Sequence, residues 1–315
     1  MTRRWPQEVE AELSELGDVV LNPDDQALTP TQLGQALADC DVLCATVTDQ
    51  LTAGMFSAGV RTRLIANFGV GYNHIDVAAA RSAGVRVTNT PGVLTEATAE
   101  IALSLLLASA RRTSEGERHL RGGEWTGWRP THMLSTQVTG KTLGIVGMGR
   151  IGTRLARMAY HGLGMRILYA NRNPVAESVA VELQAQRLPL EQLLGEADFV
   201  SLHCPATAET RHLIDSRALS LMRPCAHLIN TARGDVVDEQ ALVRCLSDGT
   251  IAGAGLDVFE HEPRLAEGLA ALENVVLLPH MGSGTQETRV AMGRCALSNV
   301  RAFLTDQALP NEVTV

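Results

Sequence analysis

The chain is short of positive charge, of paired cysteines and of long apolar runs, and each shortage removes a class of function. Across 315 residues, 27 Lys and Arg face 35 Asp and Glu, a net charge of −8. No general basic field is present to gather a phosphate backbone or an anionic lipid surface, so neither nucleic acid nor membrane is expected as a partner. An anionic ligand must instead be held by local devices: single arginines, backbone N–H groups or helix N-termini. The six cysteines (Cys40, Cys44, Cys204, Cys225, Cys245, Cys295) show no CxxC spacing, which supports neither a disulfide framework nor a zinc site. The longest apolar stretch, IALSLLLASA at 101–110, is well short of a membrane span, and the basic start MTRRWPQEVE has no apolar segment behind it. A cytoplasmic protein without a metal site is expected.

The composition, 45% hydrophobic and 20% charged, is that of an ordinary globular protein, and the length suits two cores. From about residue 140, apolar β-type runs alternate with helical patterns, the signature of βαβ units on a parallel sheet. Six strands are expected at 142–147, 166–170, 198–203, 226–230, 252–258 and 274–279. The N-terminal third carries a smaller α/β set, with strands expected at 18–22, 41–46, 63–68 and 85–89. A helix over 95–112 is long enough to pass from one domain to the other, and a last helix near 284–304 returns the chain. The expected organisation is therefore α/β. Residues 1–94 with 286–315 form a discontinuous substrate (lid) domain, and 95–285 form a Rossmann-type dinucleotide-binding domain. Residues 113–140 show no strand pattern and hold Trp125 and Trp128; an irregular stretch of that length is usually functional or interfacial. The chain also lacks the apolar strand that ordinarily opens a doubly wound domain, which predicts a start codon upstream of Met1.

GMGRIG places Gly147, Gly149 and Gly152 between the strand-like TLGIV and a helical pattern. In that setting each glycine has a mechanical use: a tight turn, close approach of a pyrophosphate, and helix-to-strand packing. Nineteen residues beyond Gly152, where an Asp or Glu would hold the ribose 2′-hydroxyl of NAD, stand Asn171, Arg172 and Asn173. A carboxylate would repel a 2′-phosphate, whereas an arginine flanked by amides would pair with it, so NADP(H) is the expected cofactor. An Arg172 turned to solvent would instead leave NAD(H) or dual use.

Three later stretches each end a strand and present a reactive side chain: NTARGDVVDE with Arg233, GLDVFEHEP with Glu262, and LLPHMGSGT with His280. Ligands bind outside the carboxyl ends of strands in open α/β sheets, so the three are expected to converge. Arg233 offers a planar fork for a carboxylate, His280 can deliver a proton to a carbonyl oxygen, and Glu262 would orient the imidazole and favour its protonated form. Taken singly, each has a plainer reading: a structural histidine, an exposed Glu260 or His261 in place of Glu262, and an Arg233 paired with Asp235.

Taken together, GMGRIG, NTARGDVVDE, GLDVFEHEP and PHMGSGT resemble the NAD(P)-dependent D-isomer-specific 2-hydroxyacid dehydrogenases, the glyoxylate/hydroxypyruvate reductase branch above all. The resemblance extends to NFGVGYNHID (67–76), NTPGVLTEATAE (89–100) and SLHCPATAETRHLI (201–214). It implies Arg233, Glu262 and His280 as catalytic residues. It implies cofactor contacts at Thr98, Arg150, Ile151, Cys204, Pro205, Thr231, Ala232 and Ser283, with Asp257 near the nicotinamide amide. Val70 and Gly71 would receive the substrate carboxylate on backbone amides, and Trp128 would reach the substrate site across a homodimer. The implied activity is reduction of a small 2-oxo acid, such as glyoxylate or hydroxypyruvate, to the D-2-hydroxy acid. Met281 and Gly284 depart from the family's more usual Ile and Ala without removing a reactive group. Rival readings are a nucleotide-sensing regulatory protein on the same architecture, a phosphoglycerate dehydrogenase, and a dehydrogenase of phosphite or formate. The phosphite enzymes use a lysine where this chain has Val70.

Overall fold

The computed structural model describes residues 1–57 and 59–314. The chain divides into two compact units, Met1–Leu94 with Ser283–Val315, and Thr95–Gly282. The first opens with helices α1 (Gln7–Ser14) and α2 (Pro30–Asp39), then strands β1 (Val42–Thr46) and β2 (Leu64–Phe68), helix α3 (Val77–Ser82) and strand β3 (Arg86–Thr88). The strands are parallel in the order β1-β2-β3, with Val42 opposite Leu64 and Leu64 opposite Arg86. Every residue of β2 is buried, as expected for a parallel strand covered on both faces. Thr29 and Gln32 close a reciprocal capping box on α2 with Pro30 at its first position, which fixes where that helix begins.

The strand expected at 18–22 does not form. Val20 is 72% exposed and Leu21 37%, and the stretch pairs with no strand. Instead the Met1 ammonium donates to the Val20 carbonyl, and the Thr2 N–H donates to the Cys44 carbonyl of β1. A run of three apolar residues without a sheet edge to bury it gains too little to stay extended.

The second unit contains α4 (Thr95–Ala110), α5 (Thr113–Arg121), β4 (Thr142–Val146), α6 (Arg150–Leu163), β5 (Arg166–Ala170), α7 (Glu177–Leu183) and β6 (Gln186–Arg187). It continues through α8 (Leu190–Glu196), β7 (Phe199–Leu202), α9 (Ser216–Leu221), β8 (His227–Asn230), α10 (Glu239–Ser247), β9 (Gly253–Leu256) and β10 (Val275–Leu277). The last helix, α11 (Gln286–Leu304), belongs to the first unit and packs on β2 and α1. The seven parallel strands run β10-β9-β8-β7-β4-β5-β6, so chain order reverses between β4 and β7 and opens a crevice at their carboxyl ends. Helices cover both faces. Leu193, Leu228 and Leu242 fill one core, and Leu105, Leu155 and Phe199 fill the other.

Two elements of this unit carry little sequence signal. Strand β6 is two exposed residues long, and α5 has no buried residue, so neither shows an apolar period. Residues 113–121 are thus helical, while 122–140 contain no helix or strand. In β8, His227 is buried, stacks on Phe199 at 5.2 Å and shares a 2.8 Å hydrogen bond between Nδ1 and Ser109 Oγ. Burial pulls its pKa down to about 4. Among the described residues no helix is long and apolar enough to cross a membrane.

Candidate active site

The three glycines after β4 have three different surroundings. Gly147 sits at φ +89°, and a Cβ there would lie 2.5 Å from the Cys204 nitrogen, so the turn presses directly on the chain leaving β7. A Cβ on Gly152 would lie 2.9 Å from Ile145 Cγ2 and 3.0 Å from the Gly147 carbonyl oxygen, which brings α6 close against β4. A Cβ on Gly149 would meet nothing within 4 Å. Open space therefore lies at the start of α6, where Arg150 and Ile151 begin the first turn and unpaired helix N–H groups favour an anion.

Asn171, just after β5, accepts the Met148 N–H on Oδ1 at 2.6 Å and donates back to the Met148 carbonyl at 3.4 Å. Its side chain thereby braces the glycine turn. Arg187 of β6 donates to the Asn171 carbonyl at 2.9 Å and the Arg172 carbonyl at 2.5 Å. Arg172 and Asn173 are exposed, and Arg172 attracts Glu209 enough to help lower that carboxyl's pKa, behind the Thr207 hydroxyl and its own backbone N–H. Along the same crevice, Cys204 is buried and Pro205 exposed after β7. After β8, Thr231 is 7% exposed, and its hydroxyl oxygen is buried with no hydrogen-bond partner among the described residues. An orphaned hydroxyl at a strand end, open space before α6 and no cradle side chain in the way suit a bound dinucleotide.

Arg233 is fixed from both sides. Asn230 at the end of β8 donates to the Arg233 carbonyl at 2.9 Å and accepts from the Ala232 N–H at 3.0 Å. Next in the chain, Gly234 lies so close to the Phe259–Glu260 peptide that a Cβ would sit 1.9 Å from the Phe259 carbonyl carbon. The Arg233 guanidinium donates to the Ala232 carbonyl; burial lowers its pKa, against the pull of Glu262 and Asp235.

His280 follows β10 at φ +52°, a left-handed conformation that costs a non-glycine residue about 1–2 kcal/mol. Asp257, the residue just after β9, holds it there. The Asp257 carbonyl accepts the His280 N–H at 2.8 Å, and its carboxylate accepts the Met281 N–H at 2.7 Å and the Gly282 N–H at 2.8 Å. Asp257 is 1% exposed; burial keeps its pKa above the ordinary value, and the two N–H groups and His280 only partly counter it. Thr98 of α4 is buried against Gly282, where a Cβ would meet its methyl at 3.4 Å. Glu262, in a cis peptide with Pro263, accepts from or shares a proton with His280 Nδ1 at 2.9 Å and accepts the Phe259 N–H at 3.1 Å. Burial works to raise the Glu262 pKa, but His280, Phe259 and Arg233 together hold it below its ordinary value. With Nδ1 engaged, Nε2 is the ring nitrogen left to exchange a proton.

In the first unit, the loop after β2 has its carbonyls taken. Asn67 Nδ2 donates to the carbonyls of Gly69 and Gly71 at 3.1 and 3.0 Å, and Asn89 donates to Val70 at 2.9 Å. His74 fixes the Asn67 side chain at 3.1 Å. The N–H groups of Val70 and Gly71 have no partner among the described residues. Ser283 also lies in this unit, and Trp128, in the second, is 81% exposed.

The bracing residues Asn67, Asn89, Asn230 and Arg187 carry no reactive side chain that marks them in the sequence. The first three lie within NFGVGYNHID, NTPGVLTEATAE and NTARGDVVDE, where the only signal is an amide next to a glycine-rich or reactive turn. Arg187 carried none.

Residues 103–282 match the family described as D-isomer specific 2-hydroxyacid dehydrogenase, NAD binding domain. Over its full length the chain is similar to a glyoxylate reductase of Korarchaeum cryptofilum, at 46% identity covering 99% of this chain and 94% of that protein. Among solved structures it is similar to a glyoxylate reductase from Paecilomyes thermophila (32% identity, TM-score 0.87, covering 98% of this chain and 95% of the other). An acyclic imino acid reductase in complex with NADPH and D-Arg shares 27% identity at a TM-score of 0.88, with 99% and 97% covered. A parallel seven-stranded sheet with the glycine turn at its reversal, and likeness over nearly the whole chain, lead to one conclusion: the chain belongs to the D-isomer-specific 2-hydroxyacid dehydrogenase family.

Proposed function

We propose that this protein is a glyoxylate reductase that also accepts hydroxypyruvate and uses NADPH in preference to NADH. The observation that carries the reading is the 2.9 Å His280–Glu262 pair, with the half-buried Arg233 close enough to influence Glu262. When bound, the dinucleotide supplies the hydride. Arg233 draws the 2-oxo acid in by its carboxylate and polarises the carbonyl oxygen. His280 donates a proton from Nε2 to that oxygen, giving the 2-hydroxy acid, and Glu262 holds the ring through Nδ1 and balances the imidazolium charge. The Val70 and Gly71 amides, turned free by the asparagine braces, suit a substrate carboxylate.

Thr98, Gly147, Gly149, Arg150, Ile151 and Gly152 would hold the dinucleotide on the pyrophosphate and nicotinamide sides, and Cys204, Pro205, Thr231 and Ala232 would line it. Preference for NADPH rests on Arg172, exposed beside Asn173 with the Arg187 guanidinium next to its carbonyl. The NADPH bound by the imino acid reductase relative accords with that reading. Two exposed tryptophans on an irregular segment, Trp125 at 51% and Trp128 at 81%, support a homodimer in which that segment is covered. The test is kcat/KM with NADPH and NADH against glyoxylate, hydroxypyruvate, pyruvate and bulkier 2-oxo acids. Glyoxylate with NADPH is expected to be the best pair. Preference for NADH overturns the cofactor reading, and cofactor binding with no turnover on any acid overturns the enzyme.

A further inference from the structure

Glu239 is a buried carboxylate that the mechanism above leaves unused. It opens α10, five residues after Gly234, and is 4% exposed. Its Oε1 accepts the Glu260 N–H at 2.8 Å. That amide opens the turn that carries Glu262, closed by an Arg264 N–H to His261 carbonyl bond of 2.9 Å. The Glu260 carboxylate is tied down in turn by His212 at 2.8 Å and Arg211 at 3.1 Å. Glu262 itself is 36% exposed and His280 32%, so packing alone does little to fix where the pair meets.

We infer that Glu239 is a positioning residue that clamps the start of the turn at Glu260 and so sets Glu262 at hydrogen-bonding distance from His280. A carboxylate suits the task because its partner is an N–H donor and it is acceptor-only. A leucine keeps the apolar bulk and removes the acceptor, whereas a glutamine keeps one amide oxygen for the Glu260 N–H. Because the same segment packs on Gly234, the clamp also ties the Glu262 turn to the loop bearing Arg233. The inference rests on the proposed acid–base role of the Glu262–His280 pair.

A double-mutant cycle tests it. Glu239→Leu is expected to lower kcat for glyoxylate reduction about tenfold with KM for NADPH unchanged, to have no further effect, within about twofold, in a Glu262→Gln background, and to be largely rescued by Glu239→Gln. Multiplying effects would show that Glu239 acts elsewhere and overturn the clamp. An unimpaired Glu262→Gln enzyme would instead overturn the acid–base reading itself. Should Glu239→Leu not fold, hydrogen exchange of the wild-type protein decides: slow exchange at the Glu260 amide supports the clamp, and exchange as fast as at an unprotected loop overturns it.

Discussion

Three alanine substitutions in one six-residue turn separate folding from binding. At Gly147, alanine must take φ +89°, costing about 1–2 kcal/mol, and its Cβ must displace the Cys204 backbone from 2.5 Å. Overpacking of that kind adds about 1–3 kcal/mol. The total of about 2–5 kcal/mol lowers the Tm of a unit this size by roughly 5–15 °C. Alanine at Gly152 has an ordinary φ but presses on Ile145 and the Gly147 carbonyl, so it should lower the Tm by the overpacking part alone. Alanine at Gly149 has φ −85° and free space, so the Tm of the cofactor-free protein should stay within about 2 °C of wild type. Yet its methyl stands where a pyrophosphate would approach the first turn of α6, and loss of one charge-assisted hydrogen bond there raises the NADPH Kd at least about tenfold. Thermal melts without cofactor and titration of NADPH fluorescence give the two readouts. Gly149→Ala melting as low as Gly147→Ala, or binding NADPH as tightly as wild type, would show that Gly149 is not an open site facing the pyrophosphate.

Arg172→Ala should lower kcat/KM with NADPH about tenfold and leave the NADH value unchanged, measured by steady-state kinetics; equal loss with both cofactors would contradict its pairing with a 2′-phosphate. Stability should fall in mild acid through His227. Its folded pKa, about 4, lies below the ordinary 6.5, so between those values the unfolded chain binds the extra proton and stability is lost as pH drops from about 6.5 to 4. The span is worth up to roughly 3 kcal/mol. Urea midpoints at pH 7.5 and 5 should differ less in His227→Asn, which keeps an acceptor for Ser109 without the titration; an unchanged difference would assign the acid loss to other groups.

Much of the sheet was legible because its strands are buried on both faces. LGIV, ILYA and HLIN read as apolar runs at the places where β4, β5 and β8 form, and glycine punctuates the turn after β4. Strand β6 and helix α5 were not legible, since neither buries a side chain and periodicity reports burial. Val19–Leu21 failed for the opposite reason: an apolar triplet looks like a strand until one asks what would cover it. In the site, the reactive side chains stood out by chemistry and by position after strands. What holds them did not. Asp257 grips two backbone amides beside His280, and Asn171 grips the glycine turn; a sequence shows an acid or an amide but not the N–H groups it will meet.

The most direct test of the account is the turnover of His280→Ala beside wild type, with glyoxylate and NADPH. In His280→Ala, kcat is expected to fall by about 10²–10⁴ while the NADPH Kd stays within about twofold, because the imidazole moves the proton and the cofactor cradle lies after β4, β5, β7 and β8. Turnover equal to wild type would contradict it.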